Sequence, residues 1–215
     1  MIKNDFHGCI VCNGEVRNIP EAEKVVRGAS LVIAADGGAR HLVAMKISPD
    51  LIIGDMDSID PISRQRFADV ETIIFPRDKD QTDTELAVDL AMERGCRLID
   101  MVGALGGRVD HELGNISLLL KYPGRLFIRD GNPRLFAIER GLKNHLRLPI
   151  GSLFSLIPFP RAGGVTVQGV RFPLENEDLE AGTRGISNTV CSENGWIHVE
   201  NGCLLLYTED KGGSR

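Results

Sequence analysis

The sequence predicts an α/β fold: a mostly parallel sheet flanked by helices, followed by a smaller antiparallel β-sandwich domain. Over the first two thirds, continuous apolar runs alternate with amphipathic segments, the pattern of a parallel sheet covered on both faces. From about Asn132 the runs become short, rich in β-branched and aromatic residues, and punctuated by Gly and Pro. The division expected is an α/β domain at 1–131 and a β domain at 132–215. Between Ala34 and Ala87, aspartates stand where apolar runs end or a helix begins. A parallel sheet gathers such positions at its carboxyl edge, where these sheets bind ligands.

In chain order, the strands expected in the first domain cover 9–12, 31–35, 51–53, 72–75, 98–102 and 126–128. Helices are expected at 21–27, 39–45, 62–68, 84–94 and 112–120. The helix after Gln81 is the best marked: Thr82 and Glu85 form a capping box, and Leu86, Ala87, Leu90 and Ala91 supply an apolar stripe. In the second domain, strands are expected at 135–138, 153–157, 165–170, 196–199 and 204–207. Asn194-Gly195 and Asn201-Gly202 read as hairpin turns around the strand that carries Trp196.

Composition narrows the function classes. A chain of 215 residues with a formal net charge of -5 carries no general basic bias toward nucleic acid or an anionic membrane. No run approaches the roughly 20 apolar residues of a membrane span, and Met1 to Asp5 has no apolar leader, so a cytoplasmic location is expected. The five cysteines are odd in number and scattered, which suits free thiols. Cys9 and Cys12 form a C-x-x-C, but the run reads as a strand and no second pair completes a zinc site.

Three constellations carry chemistry. Asp36, Asp55, Asp57 and Asp83 are hard oxygen donors whose crowding is tolerable with a cation among them, and this donor type suits Mg²⁺ carrying a substrate phosphate. If the backbone stays extended, Asp55 and Asp57 point to one side; taken alone the pair also reads as a solvated turn. Asp83 alone is equally a good first-turn helix residue. In Gly103-Ala104-Leu105-Gly106-Gly107-Arg108-Val109-Asp110-His111, a glycine-rich turn precedes a helix, so its amides can approach phosphates and Arg108 can clamp them. Asp110 also suits a helix cap, and His111 an ordinary first-turn residue. In the β domain, Gly182 to Asn188 offers hydroxyl and amide groups for a heterocycle, and Phe172 is either core or a stacking face.

The ordered series Ala35-Asp36-Gly37-Gly38, Gly54-Asp55-Met56-Asp57-Ser58, Lys79-Asp80-Gln81-Thr82-Asp83, Gly106-Gly107-Arg108-Val109-Asp110-His111 and Gly185-Ile186-Ser187-Asn188 resembles the thiamine pyrophosphokinase family. The resemblance runs from about 13 to 206. It implies an α/β catalytic domain, a β-sandwich domain, and transfer of the pyrophosphoryl group of ATP to the thiamine hydroxyl, giving thiamine diphosphate and AMP. It further implies a homodimer with sites shared between subunits. By that resemblance Asp36, Asp55, Asp57 and Asp83 hold Mg²⁺, with Asp55, Asp57 and Asp83 the catalytic candidates. Gly37, Gly38, Arg108, Asp110, His111 and Asn115 bind the nucleotide. Ser187 and Asn188 match the thiamine-contacting motif, and Phe172 stands where animal relatives carry a stacking tryptophan.

Two other readings compete. A binding module would capture thiamine or a nucleotide without turnover, but a carrier for a cation needs no Mg²⁺-phosphate site. A metal phosphohydrolase would use the same acids on another substrate, but water needs no heterocycle pocket.

Overall fold

The computed structural model describes residues 6–209, which fall into two compact units. One comprises residues up to Leu118 together with Arg125–Gly131; the other comprises Leu119–Gly124 and the chain from Asn132 onward.

The first unit is built on six strands: β1 (His7–Val11), β2 (Leu31–Ala35), β3 (Leu51–Gly54), β4 (Glu71–Ile74), β5 (Leu98–Val102) and β6 (Leu126–Arg129). All pair in parallel, in the order β4-β3-β2-β1-β5-β6. Every side chain of β2 and β3 is buried, which is why these runs lack polar alternation. The helices are α1 (Ile19–Gly28), α2 (Ala39–Met45), α3 (Pro61–Arg66), α4 (Asp83–Glu93) and α5 (Val109–Lys121), with a 3-10 turn at Asp36–Gly38. Val26 of α1 and Leu42 of α2 pack with Cys9, Val11 and Ala34 of the strands. Burying a side chain such as Leu42 fully is worth about 1.5–3 kcal/mol.

Helix starts follow the signals in the sequence. Asn18 caps α1 by accepting a bond from the Glu21 amide, Asp60 caps α3 ahead of Pro61, and Thr82 caps α4 by accepting from the Glu85 amide at 3.2 Å. The expected stripe on α4 is shifted: Ala87, Val88 and Ala91 are buried, whereas Leu86 and Leu90 are only partly covered.

The strand order places the functional edge. From β1 the chain winds outward through β2, β3 and β4, then returns to add β5 on the other side of β1. The order therefore reverses between β1 and β5, the position at whose carboxyl ends such sheets bind ligands. The loops at those ends are tied together: the Gly14 amide donates to Gly103 O at 2.8 Å, and a Cβ at Gly103 would sit 2.7 Å from Cys12 O.

The second unit is antiparallel, as expected, but arranged differently from the sequence reading. It contains β7 (Arg134–Ala137), β8 (Asn144–His145), β9 (Leu153–Gln168), β10 (Leu174–Glu180), β11 (Asn188–Thr189), β12 (Trp196–His198) and β13 (Asn201–Glu209). The two strands expected at 153–157 and 165–170 are one long strand, β9, because Pro158, Pro160 and Gly163-Gly164 are carried within it. Neither Asn-Gly step joins a hairpin. β12 pairs with β8 and the end of β9, β13 pairs with β7 and the earlier part of β9, and the Asn201-Gly202 step opens a bulge in β13. The long β9 thus offers two consecutive pairing edges, which outweighs the local turn preference. β10 escaped notice because its Leu174-Glu175-Asn176-Glu177 start is polar; it still pairs with β9. Phe154, Leu156, Val165, Val167, Leu179 and Leu204 anchor this unit's core.

Candidate active site

A cleft of about 420 Å³ opens at the carboxyl edge of the parallel sheet. Its walls come from the loops after β1 and β5, the Asp36 turn, the segment before α4 and the first turns of α5. Asp36, Asp83, Arg108, His111 and Asn115 all line it, so five of the candidate residues meet there.

Asp36 follows β2 with a left-handed backbone at φ 44, an uncommon conformation for a residue other than glycine. The turn needs small neighbours: a Cβ at Gly38 would lie 1.9 Å from Val11 O, and one at Gly37 would strike the Asn13 side chain at 2.5 Å. The structure thus shows Gly37 and Gly38 as buried packing positions that let the turn close. One Asp36 oxygen accepts the Ser58 amide at 3.0 Å; the other, Oδ1, is buried without a hydrogen-bond partner. Burial pushes the Asp36 carboxyl up, the Ser58 bonds oppose that, and the negative charges of Asp83 and Asp55 add to it.

Asp55 and Asp57 converge by a different route from the one expected. The chain does not stay extended: Met56 adopts φ 64, and the Asp57 amide donates to Asp55 Oδ1 at 3.1 Å, so a tight turn brings the two carboxylates to one side. Oxygens of Asp36, Asp55 and Asp57 lie within 4.8 Å of one another. Gly54 sits against the second pair, because a Cβ there would be 2.8 Å from the Asp36 Cβ and 3.2 Å from the Asp83 Cγ.

Asp36 and Asp83 line the cleft, whereas Asp55 and Asp57 do not and reach it only through their approach to Asp36; Oδ1 of both Asp36 and Asp83 is buried without a hydrogen bond. An acceptor in that condition costs about 1–3 kcal/mol unless a ligand satisfies it. Hard anionic oxygens around a site of this kind fit a divalent cation. Two cations stand near: Lys79 Nζ is 3.1 Å from Asp83 Oδ1, and an Arg77 guanidinium nitrogen is 3.5 Å from Asp57 Oδ2. Lys79, Arg77, Asn13 and Glu112 line the cleft without having been assigned a role from sequence. Lys79 stands within a motif already singled out; only its proximity to Asp83 in space gives it meaning.

The opposite wall is the glycine-rich turn. Gly106 at φ 78 and Gly103 at φ 68 supply the left-handed conformations the turn requires. Its Gly106 and Gly107 amides both donate to Glu112 Oε1 at 2.9 Å, so the anion cradle is filled by a carboxylate of the chain itself. The Arg108 fork grips Asp110 at 3.2 and 2.7 Å, which raises the arginine and holds the Asp110 carboxyl below its usual range. Asp110 does not line the cleft; it partners Arg108 and the His111 amide. Asn115 is buried and donates to Ala104 O at 2.8 Å, which fixes the turn. Cys12 also faces this cleft, where burial pushes its thiol up to about 12 and keeps it unreactive.

In the second unit, Ser187 adopts φ 61, its amide donates to Ser155 Oγ, and its own side chain is exposed. Asn188 is buried, and its amide group is committed to the backbone: Oδ1 accepts from Phe172 N and Thr189 N, and Nδ2 donates to Phe172 O. Asn188 therefore holds the Phe172 segment in place. Phe172 is 58% exposed, and Ile186 is exposed as well.

Comparison with known proteins gives the family and the fold. Residues 22–127 match the family model of the thiamin pyrophosphokinase catalytic domain, and residues 143–204 match that of the thiamin pyrophosphokinase vitamin B1 binding domain. The chain is 31% identical over 212 residues to the thiamine pyrophosphokinase of Bacillus subtilis (strain 168), covering 92% of this chain and 95% of that protein. It is 28% identical to thiamine pyrophosphokinase 1 of Oryza sativa subsp. japonica, over 84% of this chain and 78% of that one. The crystal structure of the Bacillus subtilis thiamine pyrophosphokinase superposes with a TM-score of 0.84 at 28% identity, covering 95% of this chain and 99% of that chain. That of the Geobacillus thermodenitrificans thiamin pyrophosphokinase gives 0.83 at 28% identity, over 97% and 100%.

Proposed function

This chain belongs to the thiamin pyrophosphokinase family, and we propose that its aspartate-lined cleft transfers the pyrophosphoryl group of ATP to the hydroxyl of thiamine, giving thiamine diphosphate and AMP. The observation that carries this reading is the convergence of Asp36, Asp55 and Asp57, with oxygens within 4.8 Å of one another, and of Asp83 across Gly54 from Asp36, where the Oδ1 atoms of Asp36 and Asp83 are buried without a hydrogen bond in the cleft that the glycine-rich turn also lines. A phosphohydrolase reading does not account for the second matched region at 143–204.

The residues divide the work. Asp36, Asp55, Asp57 and Asp83 would hold the metal, and Mg²⁺ is the ion we propose from their hard-oxygen character. When bound, Mg²⁺ supplies charge neutralisation for the triphosphate. Arg108 leaves Asp110 to take phosphate oxygens in its planar fork, exchanging one bidentate anion for another. The turn from Gly103 to Gly107, whose Gly106 and Gly107 amides are held by Glu112, carries Arg108 to the cleft, and His111 and Asn115 line the nucleotide side. The thiamine hydroxyl oxygen would attack the β-phosphorus in line, the bond from that phosphorus to the AMP oxygen would break as AMP leaves, and the hydroxyl proton would pass to a carboxylate of the aspartate cluster or to water, so positioning and charge do most of the catalytic work. In the β unit, Phe172 offers its ring to the flat cationic substrate, Ser187 offers a hydroxyl, and Asn188 holds the Phe172 backbone.

Incubation with ATP, Mg²⁺ and thiamine, resolved by product, tests the reading. AMP with thiamine diphosphate is the expected outcome; ADP with thiamine monophosphate would overturn pyrophosphoryl transfer in favour of an ordinary kinase. Binding of thiamine without turnover would leave a binding module. We also propose a homodimer whose sites draw on both chains, which the exposed apolar Phe172 and Ile186 support. Mixed dimers of Asp57→Ala and Ser187→Ala chains should then regain activity that neither variant has alone. No recovery in verified heterodimers would argue against sharing.

A further inference from the structure

Lys79 is placed unlike any other cation of the cleft. Its side chain is only 16% exposed, against 81% for Arg77, and it reaches Asp83 from four residues before it in the chain. The ammonium is anchored by one bond to Pro76 O at 3.1 Å. Toward Asp83 Oδ1 it offers proximity without an aligned hydrogen bond, since that oxygen is unsatisfied at the same 3.1 Å distance. Arg108 is engaged with Asp110 and 75% exposed, so of Arg77, Lys79 and Arg108 it is Lys79 that is seated deepest, against Asp83.

We propose that Lys79 is a partner-exchanging residue: a resident counter-cation of the aspartate cluster in the free protein, and a ligand of the nucleotide phosphates once that cluster holds a divalent cation. The proposal rests on the reading of the cleft as a metal-triphosphate site. An ammonium at contact with Asp83 Oδ1 opposes a divalent cation taken up on the same oxygen, because the two positive charges would lie within a few ångströms of each other in a partly buried corner. Turning to the metal, Asp83 releases Lys79. The released ammonium sits on a flexible four-carbon stem in the cleft proposed to receive the triphosphate, where phosphate oxygens offer it a new anionic partner. Lys79 thus opposes binding of the metal alone and favours binding of the metal with nucleotide. Metal and nucleotide become coupled ligands, each strengthening the other by the same factor.

This assignment has a signature that a merely structural lysine lacks, because removing the charge should move two affinities in opposite directions. The experiment titrates Mg²⁺ alone, and then an ATP analogue with a methylene group bridging the α and β phosphorus atoms at saturating Mg²⁺, into wild-type, Lys79→Met and Lys79→Arg proteins by calorimetry. Lys79→Met is expected to bind Mg²⁺ alone about threefold more tightly and the Mg²⁺-analogue about tenfold more weakly, the range for one partly exposed charge contact. Lys79→Arg keeps the charge and should stay within about threefold of wild type in both titrations. If Lys79→Met does not fold, Lys79→Gln is read in the same two titrations. Weaker or unchanged Mg²⁺ binding in the neutral variant overturns the counter-cation role, and unchanged analogue binding overturns the phosphate role. A wild-type protein that binds neither Mg²⁺ nor the analogue overturns the metal-triphosphate reading itself; one that binds both while the neutral variant fails to split them overturns only the assignment of Lys79.

Discussion

Asp36 in the α/β unit and Asn188 in the β unit are buried almost equally, at 5% and 6% exposure, and the fold treats them in opposite ways. Both carbonyl and amino ends of the Asn188 amide are bonded, to Phe172 and Thr189. Asp36 keeps one oxygen bonded to Ser58 and leaves the other buried with nothing to accept from, near the charges of Asp83 and Asp55. A satisfied buried amide stabilises the unit that contains it, whereas an unsatisfied buried carboxylate works against its own fold. The difference separates a residue that builds a surface from one held ready for a ligand.

The largest effect that would sharpen this contrast is expected from Asp36→Asn. Pyrophosphoryl transfer should fall by at least about a thousandfold, near 4 kcal/mol of lost transition-state stabilisation. Stability without metal should move the other way. The folded-state pKa of Asp36 is raised by burial and by the neighbouring carboxylates, so ionisation at neutral pH weighs against the fold, and a neutral isostere should raise the melting temperature. Thermal melts in chelator and steady-state rates in Mg²⁺ check the two halves. A variant that is inactive and also less stable would mean that the cluster is not strained in the free protein.

Asn188→Ala should produce a smaller effect of the ordinary kind. It leaves the amide and carbonyl of Phe172 without their buried partners, so denaturant unfolding should show a loss of about 2 kcal/mol. Because the variant frees the Phe172 segment, KM for thiamine should rise more than kcat falls. A loss below about 0.5 kcal/mol would show that water replaces the amide, and the contrast with Asp36 would then fail.

How much of this was legible in the sequence differs between the same two regions. The parallel strands announce themselves as apolar runs, and the Thr82 cap and the aspartates at strand ends are local signals. In the β unit, pairing is decided by partners far away in the chain: β9 runs through its own prolines and glycines, and β10 pairs despite a polar start. Asp55 and Asp57 approach each other through a turn and not through the extended backbone expected, because left-handed Met56 closes a turn that no glycine advertises. Glu112 in the glycine turn and Lys79 on Asp83 were invisible as partners, since a sequence names the charges without saying which ones meet.

The smallest effect belongs to a carboxylate of the α/β unit that, unlike Asp36, has a countercharge. Asp100 on β5 accepts from the His7 ring at the start of β1, Oδ2 to Nε2 at 3.1 Å, and neither residue lines the cleft. The Asp100 hydrogen bond raises the His7 pKa above 6.5, against the opposing effect of burial. A histidine whose folded pKa is raised contributes stability that is complete below its unfolded value and is lost as pH climbs through the folded one. His7→Gln keeps a neutral donor and removes only the charge. Wild type should therefore exceed the variant by about 1 kcal/mol or less at pH 5.5, given solvent screening of a part-exposed pair, and the gap should close by pH 8.5. Turnover should be unchanged across that range. A gap that persists at pH 8.5 would assign His7 to packing, and one that widens there would contradict the sign of the shift; only a gap confined to acid pH leaves Asp100 as the paired counterpart of Asp36.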